Sequence, residues 1–283
     1  MKVVVGIDIG GSTTKIAGFC GGEMLKPIQV RANTPVASLF GAFGQFMVEN
    51  GLALEDIAEI RLTGVGSTGI QQPIYGIPTY KVDEFVADGV GGRYFAKDDK
   101  IVVVSMGTGT TYVLVDGDNL RHLGGIAIGG GTIVGLSHLL LNTDDIDVIQ
   151  EMSLKGRIEN IDLRIADISN EPLPGLDLDI TAANFGNVAA NVSREDIALG
   201  IVHMVLESIC HTGTLIAQSE EVDEFILIGS LANFAECGHI SQACAAIAGK
   251  KVHFVIPPQC VFGTAIGAAL AHGQACKPIG MNV

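Results

Sequence analysis

A turn of glycine and hydroxyl residues between two apolar runs, at residues 10–14, most constrains how this chain can fold. Residues 3–7 predict a buried strand, and residues 13–19 predict its hairpin partner. Glycines let such a turn close around an anion, because they carry no Cβ, and Asp8 beside it could hold a hydrated Mg²⁺. An ordinary glycine-rich hairpin is the alternative. The residues assigned to phosphate binding in this turn are Gly10, Gly11, Ser12, Thr13, Thr14 and Lys15.

The same pattern starts again in the middle of the chain. Residues 100–105 predict an apolar strand, residues 107–111 a second glycine and threonine turn, and residues 112–115 the partner strand. This internal repeat indicates an α/β fold of two lobes, residues 1–97 and 98–283, with a nucleotide held between them.

Two later glycine-rich turns also follow predicted strands, at residues 129–132 and 229–230. The first opens a predicted helix, whose N-terminal N–H groups suit an anion, and the second would let adenine or ribose approach the backbone. The alternative is that glycine simply ends these strands. The nucleotide-binding residues predicted outside the first turn are Gly107, Thr108, Gly109, Gly129, Gly130, Gly131, Thr132, Gly229 and Ser230.

The composition narrows the class of protein. Hydrophobic residues make up 48% of the 283 residues and charged residues 17%, which is typical of a compact α/β protein. The net charge of -14, without a basic cluster, argues against a nucleic-acid partner. Six cysteines without a C-x-x-C pair predict reduced thiols. With no apparent signal peptide and no apolar run of membrane-spanning length, we expect a cytoplasmic protein that does not enter a membrane.

Charged side chains stand at two further places. Asp83 and Glu84 lie where a predicted strand meets a helix, and a carboxylate there could take the proton of an attacking hydroxyl. The local sequence favours the other interpretation, in which Asp83 is the helix N-cap and Glu84 is a first-turn acid stabilised by the helix dipole. Arg121 and His122 precede the glycine-rich residues 124–131, where a cation could bind a carboxylate or phosphoryl group, unless this is only a solvated hairpin end.

These motifs together resemble the type II pantothenate kinases, which are built on the actin-like, ribonuclease H-like ATPase fold. The matches run along the whole chain, and those at 82–85 and 181–186 are the most specific to this branch. The matching residues are 6–15, 62–64, 82–85, 107–110, 124–125, 129–132, 181–186 and 228–230.

The resemblance implies ATP-dependent phosphorylation of pantothenate to 4'-phosphopantothenate, on the way to coenzyme A. It makes Glu84 the catalytic base, assigns Asp8 to Mg²⁺ through a bridging water, and places Ser230 near the adenosine. It also implies a homodimer, with dimerisation and substrate elements around 142–220, and raises acyl-CoA as a regulator. The substrate-binding residues that it indicates are Thr111, Ala183, Asn184 and Phe185.

One position departs from the family pattern. The family usually has an arginine seven residues before the first glycine of the triplet that starts at Gly129, and here that residue is His122. Arg121 stands eight residues before it, so it faces the other side of a regular strand. Either a small bulge brings Arg121 into the site, or His122 takes over part of its role.

Three alternatives remain at this point. One is an actin-like kinase for another small hydroxylated substrate, such as an amino sugar. A second is the activator ATPase of the 2-hydroxyacyl-CoA dehydratases, which carries a bridging iron–sulfur cluster on cysteines; here only Cys210 beside His211 offers an echo of that chemistry. The third is a regulatory nucleotide-binding protein without kinase activity.

Overall fold

The computed structural model describes residues 2–31, 34–171, 177–248 and 252–280, and these form two large mixed sheets and one small sheet. The first sheet contains β1 (Val3–Ile9), β2 (Thr13–Cys20), β3 (Glu23–Met24), β4 (Ile28–Arg31), β5 (Ile57–Thr63), β6 (Thr79–Val82) and β14 (Cys276–Pro278). The second contains β7 (Lys100–Met106), β8 (Thr110–Asp116), β9 (Asn119–Ile126), β12 (Glu224–Ile228) and β13 (His253–Val255). The small sheet pairs β10 (Leu163–Arg164) with β11 (Thr181–Ala183).

The two large sheets repeat one topology. The first has the strand order β3-β2-β1-β5-β6, and the second has the order β9-β8-β7-β12-β13. In each sheet the first two strands are antiparallel, and the central strand continues into parallel pairs. The strand–turn–strand repeat in the sequence therefore corresponds to two copies of one structural unit.

Eight α-helices surround the sheets in the described part of the chain. They are α1 (Pro35–Glu49), α2 (Glu84–Phe95), α3 (Gly130–Leu141), α4 (Ile146–Ser153), α5 (Ile165–Ile168), α6 (Arg194–Glu220), α7 (Ala235–Ile247) and α8 (Gly263–Leu270). Among the described helices, α6 alone has the length and apolar character to cross a membrane. Half of its most apolar 18-residue segment is buried inside the protein.

The central strands of the second sheet are buried on both faces, which explains their unbroken apolar sequence. On one face, side chains of β7 and β8 pack with α6 in the largest core cluster, and Val104 and Tyr112 belong to it. On the other face, Val103 and Val113 pack against Phe85 of α2. One face of this sheet therefore packs on α6, and the other face packs on α2.

Helices α2 and α8 exchange places between the sheets. α2 follows the first sheet but packs on β7, β8 and β12 of the second, whereas α8 follows the second sheet and packs on β1, β2 and β5 of the first. The helices cross in close contact because glycines stand at the crossing: a Cβ built on Gly91 would lie 2.0 Å from the carbonyl oxygen of Gly263. The guanidinium of buried Arg61 also donates hydrogen bonds to the carbonyl oxygens of Ala269 and Ala271 at the end of α8.

The crossing bears on the division of the chain into lobes. Helix α8 lies on the first sheet, and β14 adds to its edge by pairing with β6. Residues 263–278 therefore join the layer built by the first hundred residues. The division into lobes at residues 97 and 98 stays a prediction. The structure adds that the last helix, α8, and the last strand, β14, return to the first sheet.

Candidate active site

The two glycine turns predicted to bind phosphate face each other. In the β1–β2 turn the Gly10 N–H donates to Thr13 O at 3.0 Å, and in the β7–β8 turn the Gly107 N–H donates to Gly109 O at 2.9 Å. A Cβ built on Gly11 would lie 3.7 Å from Thr108 Oγ1, so the two turns lie within contact distance. The two turns, one from each repeat of the fold, therefore lie side by side.

The glycine triplet at the start of α3 supports the second turn. The N–H groups of Gly130 and Gly131 donate to the carbonyl oxygens of Gly107 and Thr108, at 2.8 and 2.9 Å. A Cβ on Gly129 would lie 2.7 Å from Thr108 O, which explains the need for glycine. These N–H groups donate to the second turn, and in the structure they hold that turn in place. The phosphate-binding role of residues 129–132 stays a prediction.

The predicted adenosine residues lie at the end of β12. Gly229 has φ of 97°, a left-handed conformation that favours glycine, and its N–H donates to Cys260 O at 2.9 Å. A Cβ there would lie 2.5 Å from Met106 O, at the end of β7. Gly229 thus brings Ser230, which follows it, close to the strand that leads into the second turn.

Asp8 and Lys15 form a buried pair at the base of the first turn. They stand opposite each other in the β1–β2 register, with 4.0 Å between Lys15 Nζ and Asp8 Oδ2. Burial raises the pKa of Asp8, and the Lys15 ammonium acts against that rise. The described residues contain no cluster of three acidic, cysteine or histidine ligands. The single carboxylate of Asp8 fits Mg²⁺, which commonly takes one or two carboxylates together with nucleotide phosphates and water.

Asp83 and Glu84 have different roles at the start of α2. Asp83 is the N-cap, as the local sequence predicts, since its Oδ1 accepts from the N–H groups of Phe85 and Val86 at 3.0 and 3.3 Å. Glu84 makes no such capping contact, and its side chain is exposed. Partial desolvation raises the pKa of Glu84, and the charges of Asp8 and Asp83 raise it further, whereas Lys15 lowers it. Glu84 is therefore electrostatically coupled to the first turn, where a base is needed.

β9 has a bulge at Leu123, directly after His122, whereas Arg121 and His122 are consecutive in its regular register. β9 pairs Tyr112 with Gly124 but Val113 with His122, which leaves one additional residue between those pairs. His122 is directed with Val113 toward α2, and its ring stacks on Phe85 at 3.8 Å between centroids and an interplanar angle of 13°. Arg121 is directed to the opposite face, where it pairs with Glu220 at the end of α6 at 2.5 Å. Only His122 therefore adjoins the α2 segment that carries Glu84.

The residues predicted to contact substrate near the small sheet form a polar network with α6. Asn184 Nδ2 donates to Glu207 Oε2 at 2.8 Å, and the Phe185 N–H donates to Asp162 Oδ1 at 2.8 Å. His203 Nδ1 lies 3.1 Å from Asp162 Oδ2. The substrate roles of Ala183, Asn184 and Phe185 stay predictions. What the structure adds is a charged network that fixes this segment against α6.

Asp88 is a site residue that the sequence analysis missed. It lies one helical turn after Glu84 and is 1% exposed. Its Oδ1 accepts from Thr264 Oγ1 at 2.7 Å, and its Oδ2 lies 3.5 Å from the hydroxyl of Thr111, a predicted substrate residue. The available signal was an acid four residues after Glu84, on a helix face otherwise made of alanine and glycine.

The cysteines do not provide a surface for a bridging iron–sulfur cluster. Cys210, Cys237, Cys244 and Cys260 are buried. Cys210 lies in the core cluster between α6 and α7, so it cannot be shared with a second copy of the chain. Cys20 and Cys276 are partly exposed but belong to separate strands of the first sheet. This arrangement argues against the activator alternative.

Known structures first define the class of protein. The fold is similar to the activator of the 2-hydroxyisocaproyl-CoA dehydratase from Clostridium difficile with bound ADPNP, with a TM-score of 0.67, 16% identity and coverage of 95% of this chain and 93% of that chain. It is also similar to a ROK family glucokinase from Streptomyces griseus in complex with glucose and AMPPNP, with a TM-score of 0.58, 13% identity and coverage of 94% and 98%. The chain therefore has the actin-like ATPase fold, as the resemblance implied.

Sequence relatives then give the family. The family model Fumble matches residues 92–270. A type II pantothenate kinase from Bacillus cereus (strain G9842) is 30% identical over 268 residues, which cover 90% of this chain and 94% of the relative. The chain belongs to the type II pantothenate kinase family, and the resemblance seen in its motifs is confirmed.

Proposed function

We propose that this protein is an ATP-dependent kinase that phosphorylates pantothenate to 4'-phosphopantothenate, a step of coenzyme A biosynthesis. The observation that carries the proposal is the position of Glu84, coupled to Asp8 and Lys15 beneath the first of two facing glycine turns. Family membership supplies the substrate, because the curated relatives are named type II pantothenate kinases. ATP and Mg²⁺ are the cofactors that this assignment requires.

The proposed mechanism divides the work among the residues of the cleft. Backbone N–H groups of the turns at 10–15 and 107–111 hold the ATP phosphates, and Lys15 offsets their charge. Glu84 accepts the proton of the pantothenate hydroxyl as that oxygen attacks the γ-phosphorus, while the bond from the γ-phosphorus to the β–γ bridging oxygen breaks and ADP leaves. Asp8 would hold Mg²⁺ through water, and the ion would neutralise charge on the phosphates. Closure of the cleft excludes water, so that the phosphoryl group reaches the substrate.

The assembly and location follow the family expectation. We propose a homodimer formed by elements around 142–220; the exposed side chain of Leu215 on α6, which is 65% accessible, supports a contact there. Six scattered cysteines without a C-x-x-C pair support a cytoplasmic protein, and the net charge of -14 supports the absence of a nucleic-acid partner. No membrane partner is proposed, and acyl-CoA is proposed as a regulator on the family resemblance alone.

A kinase for another small hydroxylated substrate is the second candidate. The observation that favours it is His122, which lies against Phe85 where the family usually has an arginine. An imidazole is smaller than a guanidinium and cannot bind a carboxylate or phosphoryl group through two parallel hydrogen bonds. The substrate pocket therefore differs from that of an arginine-bearing relative in both space and charge.

A coupled ADP-release assay with Mg-ATP distinguishes these functions. The panel consists of pantothenate, amino sugars and hydroxy acids, with a substrate-free reaction as the baseline. Release that depends on pantothenate supports the proposed function, and release with another member of the panel supports the second candidate. If no substrate raises ADP release while ATP still binds, a regulatory nucleotide-binding protein is favoured and both kinase proposals fail.

Because Arg121 and His122 point to opposite faces of β9, substitutions at these two neighbouring residues should have different effects on activity. Arg121→Ala removes an exposed ion pair, so we expect kcat/KM for pantothenate to stay within about twofold of the parent and stability to change by less than about 1 kcal/mol. His122→Ala removes a ring that stacks on Phe85, the residue after Glu84, so we expect kcat/KM to fall about tenfold, which is about 1.4 kcal/mol and the upper range for a lost aromatic stack. Steady-state kinetics of both variants, with thermal melts as the control for folding, make the comparison. A larger kinetic loss in R121A than in H122A would contradict the observed register.

A further inference from the structure

The buried acid Asp88 joins three elements at the floor of the cleft. It belongs to α2, accepts a hydrogen bond from Thr264 of α8 at 2.7 Å, and approaches the hydroxyl of Thr111 on β8 at 3.5 Å. Helix α8 packs on the first sheet and β8 belongs to the second. Asp88 is therefore a polar link between the layers on either side of the nucleotide cleft.

We propose that Asp88 is a positioning residue for phosphoryl transfer, which holds Thr111 in place as a neutral, protonated acid. In that form one oxygen accepts from Thr264, and the O–H would donate across the 3.5 Å between Asp88 Oδ2 and Thr111 Oγ1, a contact in which the ionised acid can only accept from Thr111. The hydroxyl hydrogen of Thr111 is then free to turn toward the substrate. The inference rests on the proposed function, because Thr111 has its substrate role only there.

Charge and burial support the neutral form. The carboxylates of Glu84 on its own helix and of Asp8 on β1 both disfavour the ionised form of Asp88. The remaining polar partners are the hydroxyls of Thr264 and Ser105. Burial is the main cause that raises the pKa of Asp88 to about 7, and its two acidic neighbours add to the rise. Of two neighbouring acids, the more deeply buried one holds its proton more tightly.

The neutral form gives the reaction an alkaline limit. When Asp88 ionises it loses its O–H donor toward Thr111, and it also adds a negative charge next to Glu84. We therefore expect kcat/KM to fall as the pH rises through about 7, the pKa of this acid. Asparagine has the shape of the neutral acid, accepts from Thr264 through its oxygen and donates through its NH₂ group, but cannot ionise.

The test compares the pH profile of kcat/KM for Asp88→Asn with that of the parent. We expect D88N to keep at least about half of the parental kcat/KM below the alkaline limit and to lose that limit above it. Asp88→Ala loses the contacts with both Thr264 and Thr111, so this variant should have lower activity at every pH. Thr264→Val removes the donor that lowers the pKa of Asp88, so the alkaline limit should move to higher pH, and Thr264→Ser should leave it in place. A D88N profile that stays parallel to the parental one, or a folded D88N that is as inactive as D88A, overturns the proposal.

Unfolding in urea tests the protonation without any activity. The pKa of Asp88 is higher in the folded protein than its ordinary value of 3.8, so the parent loses stability relative to D88N as the pH rises from about 4 to about 7. We expect the difference in midpoint between D88N and the parent to increase in favour of D88N from about pH 5 to about pH 8. An unchanged or opposite difference shows that Asp88 is ionised when folded and overturns the proposal. If pantothenate does not increase ADP release, the proposed function fails, and the role of Asp88 in that reaction fails with it. The unfolding experiment still decides whether Asp88 is protonated in the folded protein.

Discussion

Replacing Glu84 by glutamine is expected to lower kcat for pantothenate phosphorylation by about 10²- to 10⁴-fold, the range typical of a lost general base. Glutamine keeps the size of the side chain but cannot accept the hydroxyl proton. The first residue of α2 does not pack in the core, and the helix is capped by Asp83 instead, so folding should be unaffected. The KM for ATP should also stay close to the parental value, because the phosphate turns lie on other elements. Steady-state kinetics with circular dichroism measure both parts.

Asp83→Asn is the matched control for this experiment. It removes one carboxylate from the neighbouring position, but asparagine caps a helix about as well as aspartate. We expect D83N to keep kcat within a few fold of the parent, because Asp83 only raises the pKa of Glu84 through its charge. Removing that charge lowers the pKa of Glu84, so any acidic limit of kcat should move to lower pH. A Glu84→Gln variant with near-parental turnover, or a D83N variant that loses as much activity, would show that Glu84 is not the base.

The parts of the fold that were predictable from sequence are those encoded locally. Glycines at the β1–β2 and β7–β8 turns, each between two apolar runs, predicted the structural repeat, and the strand order of the sheets bears this out. The Asp83 cap is another local feature, and its hydrogen bonds are confirmed. Turn chemistry and capping depend on a few adjacent residues, so one sequence contains all the information that they need.

The features that escaped prediction depend on contacts between distant residues. Strand periodicity alone could not decide whether Arg121 or His122 enters the site, because the bulge that fixes their directions depends on how β9 meets β8. Asp88 was missed because its burial comes from Thr264, which is 176 residues away in the chain. The exchange of α2 and α8 between the sheets is likewise a property of the assembled fold, although the small residues of α8 indicated a close packing partner.

The helix crossing gives the largest expected effect on stability. A Cβ built on Gly267 of α8 would lie 1.7 Å from the carbonyl oxygen of Ala87 and 2.6 Å from the backbone nitrogen of Gly91, both on α2. These are backbone atoms, so no side chain can rotate away, and the helices must separate. Gly267→Ala is therefore expected to lower the free energy of unfolding by about 3 kcal/mol or more, the upper end of the range for overpacked sites. In a chain of this size that corresponds to a fall in Tm of about 6 °C or more.

Gly135→Ala provides the matched comparison, since it makes the same chemical change in another helix. A Cβ at Gly135 of α3 would meet nothing within 4 Å, so only the helix propensity changes. We expect this variant to be more stable than the parent by about 0.5–1 kcal/mol. Thermal melts of both variants at one protein concentration test the pair. Because α2 carries Glu84 and Asp88, a folded Gly267→Ala protein should also lose activity as the helices separate. Equal melting temperatures for the two variants would mean that α2 and α8 do not cross as closely as the glycines indicate.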